Sequence, residues 1–223
     1  METTIIKMSN AYENQPFVEE LDSCRILDFR QLESTKCYCD EESSSILQNK
    51  LKTIGFNGIH FIDSGNYHYL TLFFLEQIKE DFNLLLVDHH PDDQPPGFGD
   101  ILSCGGWVLK AKETLTCLNK VFSFGIKDSP QKSIADFMKE IPNGLPLYIS
   151  IDKDALSKEF AITDWDQGNL TLPQLLDLLE AACESRRILG VDVCGDTCEE
   201  SHEASDINSS TNSILFDFFE GKF

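Results

Sequence analysis

Basic residues are scarce in this chain. Eighteen lysines and arginines face 38 aspartates and glutamates among 223 residues, giving a formal net charge of −20 and a pI near 4.4. A surface for nucleic acid or for an anionic membrane needs a basic patch, so neither partner is expected. The surplus of acid favours solubility and draws cationic ligands. Long apolar runs are missing as well: Tyr69–Leu75 is the most apolar stretch, far short of the ~20 residues that cross a bilayer. Met1 to Lys7 lack a basic segment leading into an apolar core, so no secretory leader is expected. The eight cysteines at 24, 37, 39, 104, 117, 183, 194 and 198 are then expected as reduced thiols, and the location as cytoplasmic. Neither an internal repeat nor a low-complexity linker divides the chain, so one domain over 1–223 is expected.

Apolar runs and turn residues alternate along the rest. Cys24–Phe29 reads as a first short strand, followed by a polar stretch over Gln31–Ser45. Cys37-Tyr38-Cys39 lies in that stretch, with a spacing too tight for a zinc knuckle. Helical spacing runs from Ile46 to Ile54 and stops at the C-cap Gly55. Gly58–Ile62 reads as a strand, Asp63–Asn66 as the turn leaving it, and Tyr67–Glu80 as one buried helix. Leu84–Val87 is a short, wholly apolar strand of the kind found inside a parallel sheet. Ile101–Leu109 is apolar without a clear type, Val121–Phe124 is a strand, and Ser133–Ile141 is a serine-capped helix. Leu147–Ile151 and Ile188–Val193 are further strands. Between them, Thr171 and Gln174 fit a capping box ahead of Leu172, Leu175, Leu176 and Leu179 on one helix face. Ile214–Phe219 has helical spacing and is expected to dock on the sheet. Such alternation predicts a three-layer α/β/α domain with a mainly parallel sheet and its strand ends on one edge.

Ligand sites of open α/β sheets lie at the carboxyl ends of strands. Three strand ends or following turns carry candidates: His68; then Asp88, His90 and Asp92; then Asp152 and Asp154. Asp88, His90 and Asp92 alternate, so an extended segment points them to one side and His89 to the other. No cysteine stands among the six. Four carboxylates and two imidazoles favour Mn²⁺ or a similar divalent ion over a thiolate-bound zinc. Six donors, four of them anionic, exceed what one ion takes from protein. They suit two ions ~3.5–4 Å apart that share carboxylates and activate one water.

The same residues resemble a known family. Gly65-Asn66-Tyr67-His68 is similar to Gly-Gly-x-His, Asp88-His89-His90-Pro91-Asp92 to Asp-x-His-x-Asp, and Ser150-Ile151-Asp152-Lys153-Asp154 to Ser-x-Asp-x-Asp, in the order of the ureohydrolase superfamily of arginases, agmatinases and formiminoglutamases. Gly168-Asn169-Leu170-Thr171 resembles the family's Gly-Gly-Leu-Thr, and Gly190-Val191-Asp192-Val193 its next strand. The resemblance spans about residues 58 to 196. It implies an arginase/deacetylase-like fold and two Mn²⁺ ions held by His68, Asp88, His90, Asp92, Asp152 and Asp154. It also implies a bridging hydroxide that attacks a guanidino, amidino or formimino carbon, with loss of an amine. The implied partner is a small cationic or amidine-bearing substrate, and a homo-oligomer is compatible, since many relatives assemble as trimers or hexamers. Asp92 and Asp196 are the implied catalytic residues, Asp196 as the acid nearest the family's glutamate that pairs with the substrate.

The chain also departs from that pattern. Relatives carry a His-Gly pair assigned to proton shuttling, and here the stretch is Ser103-Cys104-Gly105-Gly106-Trp107. Asp196 is one carbon shorter than the glutamate and displaced by a residue. The usual Asp-Pro and Gly-Thr-Gly are missing from Ala155–Gln167. Two other readings therefore stand beside the hydrolase. One is a ureohydrolase-like metal-binding protein without catalysis, prompted by the missing histidine. The other is an Asp-His-His dimanganese phosphoesterase, prompted by Asp88-His89-His90, although in that family the Asp-x-Asp motif lies upstream. Trp165-Asp166-Gln167 reads as a pocket mouth or a packed loop, and Cys104 as a buried thiol. Cys194, Cys198 and His202 recur every four residues, but Gly195 and the lack of a fourth ligand speak against a site there.

Overall fold

The structure, a computed structural model, describes residues 2–222 apart from 22, 131, 199 and 200. Its strands are β1 (Thr3–Lys7), β2 (Arg25–Asp28), β3 (Tyr38–Cys39), β4 (Ile59–Phe61), β5 (Phe82–Val87), β6 (Leu102–Ser103), β7 (Leu118–Phe124), β8 (Leu147–Asp152) and β9 (Ile188–Cys194). The helices between and after them are α1 (Pro16–Glu20), α2 (Glu41–Leu51), α3 (Leu70–Leu75), α4 (Trp107–Thr114), α5 (Ile134–Glu140), α6 (Leu172–Ser185) and α7 (His202–Phe219). Seven strands make one sheet in the order β2-β1-β4-β9-β8-β5-β7, every pairing parallel. Strands β3 and β6 form a small antiparallel pair beside it.

The inner strands β5 and β8 are buried along their whole length, which is why they read as unbroken apolar runs. Alternate residues then serve two cores. Leu85, Val87, Ile149, Ile151, Val191 and Val193 face Leu172, Leu175, Leu179, Leu215 and Phe219 of α6 and α7. Leu84, Leu86, Tyr148 and Cys194 face α2, α3 and α4 through Leu47, Phe73, Phe74 and Trp107. Helices thus cover both faces of a mainly parallel sheet, the expected three-layer α/β/α architecture. No helix among the described residues is long and apolar enough to cross a membrane.

Within residues 1–80 the expected elements differ from the structure in three places. The first strand is β1, where Thr-Thr-Ile-Ile is a β-branched run buried between β2 and β4. Helix α2 starts five residues ahead of Ile46, because Asp40 caps it by accepting from the Ser43 amide at 2.8 Å; its polar first turns hid it. The single helix expected over Tyr67–Glu80 is a 3₁₀ turn at Gly65–Tyr67 followed by α3. Past α3 the chain tightens, with the amides of Gln77 and Ile78 bonding three residues back.

Candidate metal centre

Each of the three strand-end segments is shaped by local hydrogen bonds. After β4 the chain turns through Asp63, at φ 72°. The Asp63 carboxylate accepts from the amides of Met8 and Ser9, both at 2.9 Å, and so clamps the ends of β1 and β4 together. The 3₁₀ turn that follows delivers His68, which is buried. Asp88 leaves β5 directly, accepts from the His90 amide at 2.6 Å and starts a turn that reaches Asp92 at φ 47°. Asp152, the last residue of β8, accepts from the Asp154 amide at 2.9 Å and so brings the second carboxylate alongside.

These segments converge. His68 Nδ1 lies 3.0 Å from Asp92 Oδ2, 3.3 Å from Asp88 Oδ2 and 3.5 Å from Asp152 Oδ2. His90 Nδ1 lies 2.7 Å from Asp154 Oδ2 and 3.7 Å from Asp88 Oδ1. Two groups with metal-binding spacing result, His68/Asp88/Asp92 and Asp88/His90/Asp154, and they share Asp88. A third, His68/Asp152/Cys194, contains a cysteine that sequence reasoning left out. Cys194 ends β9 in register with Asp152 at the end of β8, so the two side chains emerge side by side, with Sγ 3.1 Å from Asp152 Oδ2. The signal was available: Asp192 and Cys194 alternate on one face, as Ser150 and Asp152 do.

The surroundings orient these donors. Ser150 Oγ donates to Asp192 Oδ1 at 2.7 Å and lies 2.9 Å from His68 Nε2. It is therefore placed to accept the Nε2 proton and to turn Nδ1 toward the carboxylates, the outer-partner arrangement that presents a histidine to a metal. Trp107 Nε1 donates to Asp92 Oδ2 at 2.7 Å. Asp166 Oδ1 lies 2.9 Å from His90 Nε2, and Lys127 Nζ holds the other oxygen of Asp166 at 2.7 Å. Asp164 accepts from the hydroxyls of Ser64 and Thr197 and the Asn66 amide, tying the loop before Gln167 to the ends of β4 and β9.

The donor set fits a cation. His68 Nδ1 and Asp88 Oδ2 are buried without a hydrogen-bond partner, a rare and costly condition for polar atoms. Burial and the Asp154 charge push the Asp152 carboxyl up to about 6. Burial and the Asp88 charge push Asp154 up to about 6 as well. Burial also raises Asp88 and Asp92, each with help from a neighbouring carboxylate. Hydrogen bonds to Asp154 and Asp88 hold the His90 imidazole up at about 11. Left to themselves these groups take up protons, and a bound divalent ion would satisfy them instead. They open on a cavity of about 230 Å³ whose wall includes Tyr38, Gln94, Cys104 and Trp165.

The remaining candidates lie elsewhere. Asp196 is fully buried and does not line this cavity. Its carboxylate receives Lys153 Nζ at 3.0 Å and Gln15 Nε2 at 2.6 Å, with Asn212 alongside. Such a carboxylate has no face left for a substrate, so the anchoring role expected of it has no support in its position. Gly195 explains the tight fit: at φ +89°, a Cβ there would stand 2.4 Å from Asp152 Oδ1. His89 points into a different, larger cavity of about 780 Å³ with Lys120, Lys127 and Gly168. His202 is exposed and Cys198 donates to Ser9 Oγ, so their regular spacing with Cys194 assembles nothing.

No family model matches the chain. An uncharacterized protein of Thermotoga maritima is 30% identical over 223 residues, 95% of this chain and 88% of that protein. Among solved structures, proclavaminate amidino hydrolase from Streptomyces clavuligerus superposes with a TM-score of 0.70 at 13% identity, over 99% of this chain and 92% of that one. Arginase from Medicago truncatula gives 0.70 at 14% identity, over 99% and 86%. Agmatine ureohydrolase of Thermoplasma volcanium gives 0.67 at 13%, over 99% and 90%. The chain therefore belongs to one family with the Thermotoga maritima protein and has the fold of these arginase and amidino hydrolase structures.

Proposed function

We propose that this protein is a dinuclear manganese hydrolase that cleaves a C–N bond of a small guanidino, amidino or formimino compound. The observation that carries the reading is the pair of ligand groups sharing Asp88, at the edge where the fold's strand ends meet. His68, Asp88, Asp92 and Asp152 would hold one ion, and Asp88, His90 and Asp154 the other. The ions would supply Lewis acidity and a water acidic enough to be a nucleophile near neutral pH. The protein's own part is orientation. Trp107 fixes Asp92, Ser150 fixes His68, and Asp166 fixes His90. Trp165, stacked edge-on to His90 at 6.0 Å between ring centroids, narrows the entrance. A cavity of about 230 Å³ suits a small substrate.

One observation favours a second reading, a metal-binding protein of this fold without hydrolysis. His90 is the only imidazole among the residues that line the cavity, and it sits in the ligand set. The test is metal content after purification with Mn²⁺, followed by release of urea, ammonia or formamide from arginine, agmatine, formiminoglutamate and guanidino acids. Two ions per chain with turnover of one substrate is the expected result. Fewer than one ion, unchanged in Asp152→Ala with Asp154→Ala, sinks the centre. Two ions with no turnover of any substrate selects the second reading, and phosphodiester cleavage would favour a phosphoesterase.

A further inference from the structure

Cys194 sits where a manganese centre has no use for sulfur. Its side chain is fully buried, and its sulfur, an Asp152 oxygen and a His68 nitrogen all lie within 4.8 Å of one another. His68 Nδ1, buried and without a hydrogen-bond partner, faces the same space. Donors placed ~2.0–2.3 Å from a tetrahedral ion stand about 3.3–3.8 Å apart. The distance from His68 Nδ1 to Asp152 Oδ2 is 3.5 Å, and Cys194 Sγ lies 3.1 Å from that same oxygen. Small side-chain shifts therefore suffice to close nitrogen, oxygen and sulfur around one ion. Either Asp88 Oδ2 or Asp92 Oδ2, at 3.3 and 3.0 Å from the same nitrogen, can supply the fourth donor. Hard, oxygen-seeking cations gain little from a thiolate, whereas zinc-class ions gain a great deal.

We infer that Cys194 is a ligand of the His68 half of the centre, and that this half selects a zinc-class divalent cation over manganese. The inference rests on the two-ion centre proposed above and replaces manganese in this half of it. Sheet register makes the arrangement permanent. Cys194 and Asp152 are paired neighbours on adjacent parallel strands, and Gly195 lets the following turn close onto Asp152. The thiol gives up its proton to solvent as the ion binds, so the exchange is balanced without a redox step.

Cobalt(II), a spectroscopic stand-in for zinc, provides the test. Metal-free protein is titrated with Co²⁺ and followed in the visible, where any bound cobalt absorbs, and in the near ultraviolet, where only thiolate-bound cobalt does. The expected result is both sets of bands in the native chain. Cys194→Ser and Cys194→Ala should keep the visible bands and lose the ultraviolet one. Cys37→Ser with Cys104→Ser, which removes the two cysteines lining the cavity, should keep both. Competition between Zn²⁺ and Mn²⁺ should move roughly tenfold toward manganese in Cys194→Ser. Visible bands without an ultraviolet one in the native chain would overturn the inference and leave the centre standing. An ultraviolet band that survives in Cys194→Ser and Cys194→Ala would also overturn it. Absence of all cobalt bands would overturn the centre itself, and the inference with it.

Discussion

Lys153 stands between two candidate ligands, yet its side chain points away from them into a closed polar knot. The ammonium and the Asp196 carboxylate are both fully buried, 3.0 Å apart. Asn212 Oδ1 accepts from the ammonium at 2.8 Å, and Gln15 donates to the carboxylate at 2.6 Å. At 3.0 Å and an effective dielectric of about 20, the Coulomb attraction is roughly 5.5 kcal/mol. Removing one partner of such a pair costs ~3–5 kcal/mol, because the other is left charged and dry. Lys153→Met keeps the apolar stem, while Gln15 and Asn212 still donate to Asp196, so about 3–4 kcal/mol is expected. For a chain of this size that lowers the melting midpoint by about 6–16 °C. Urea unfolding in the presence of a chelator, to exclude stabilisation by bound metal, reads the loss directly. Asp196→Asn should cost a similar amount alone, and the double variant should cost about 2–3 kcal/mol less than the sum. A Lys153→Met protein within about 1 kcal/mol of the native one would refute the reasoning. So would an Asp196→Asn protein of native stability whose only defect is a raised KM, which would return Asp196 to a substrate-binding role.

Two more expectations follow from buried side chains. His60 is stacked on Phe74 at 4.2 Å between ring centroids, and neither ring nitrogen has a hydrogen-bond partner. Burial lowers its pKa from 6.5 to about 4. Below pH 6.5 the unfolded chain takes up a proton that the folded one refuses, so stability present above 6.5 drains away as the pH falls to about 4. The loss attributable to this group is about 3 kcal/mol. His60→Phe should be free of it, and a stability difference between the two proteins that does not change with pH would refute this. Trp107→Phe removes the donor to Asp92 Oδ2 while keeping an aromatic ring in the core, and divalent-cation affinity measured by calorimetric titration should fall about 10–100-fold. Unchanged affinity would mean that Asp92 needs no orienting partner.

Most of the sheet was legible because buried parallel strands are short apolar runs bounded by turn residues. Leu84–Val87, Leu147–Ile151 and Ile188–Val193 appear as β5, β8 and β9 with one or two residues added. The capping box at Thr171 and Gln174 was equally plain, since both of its hydrogen bonds are local. What escaped depended on distant partners. Thr3–Lys7 is a strand only because β2 and β4 flank it. α7 runs from His202, far ahead of the apolar positions expected from Ile214. Its middle buries Asn208, Thr211 and Asn212, polar residues whose partners are Ile162, Phe160 and Lys153. No periodicity of apolar residues could reveal such a face.

The site divides along the same line. Asp88, His90, Asp92, Asp152 and Asp154 crowd two short stretches, and alternation along an extended chain is enough to aim them. The fate of Asp196 and Cys194 depended on register between strands instead. On the face toward α3, His60 is paired with Asp192, Asp192 with Ser150, and Asp152 with Cys194. One row of polar side chains thus crosses three strands, and Ser150 from within it and Thr71 from α3 both donate to Asp192 Oδ1. Two residues past Cys194, Asp196 falls beyond the strand and closes on Lys153. The end of β9 at Cys194 therefore decides which acid or thiol meets the ligand cluster. It puts the sulfur there and withholds the carboxylate, so the chemistry of this centre should be sought in the metal it prefers before the substrate it accepts.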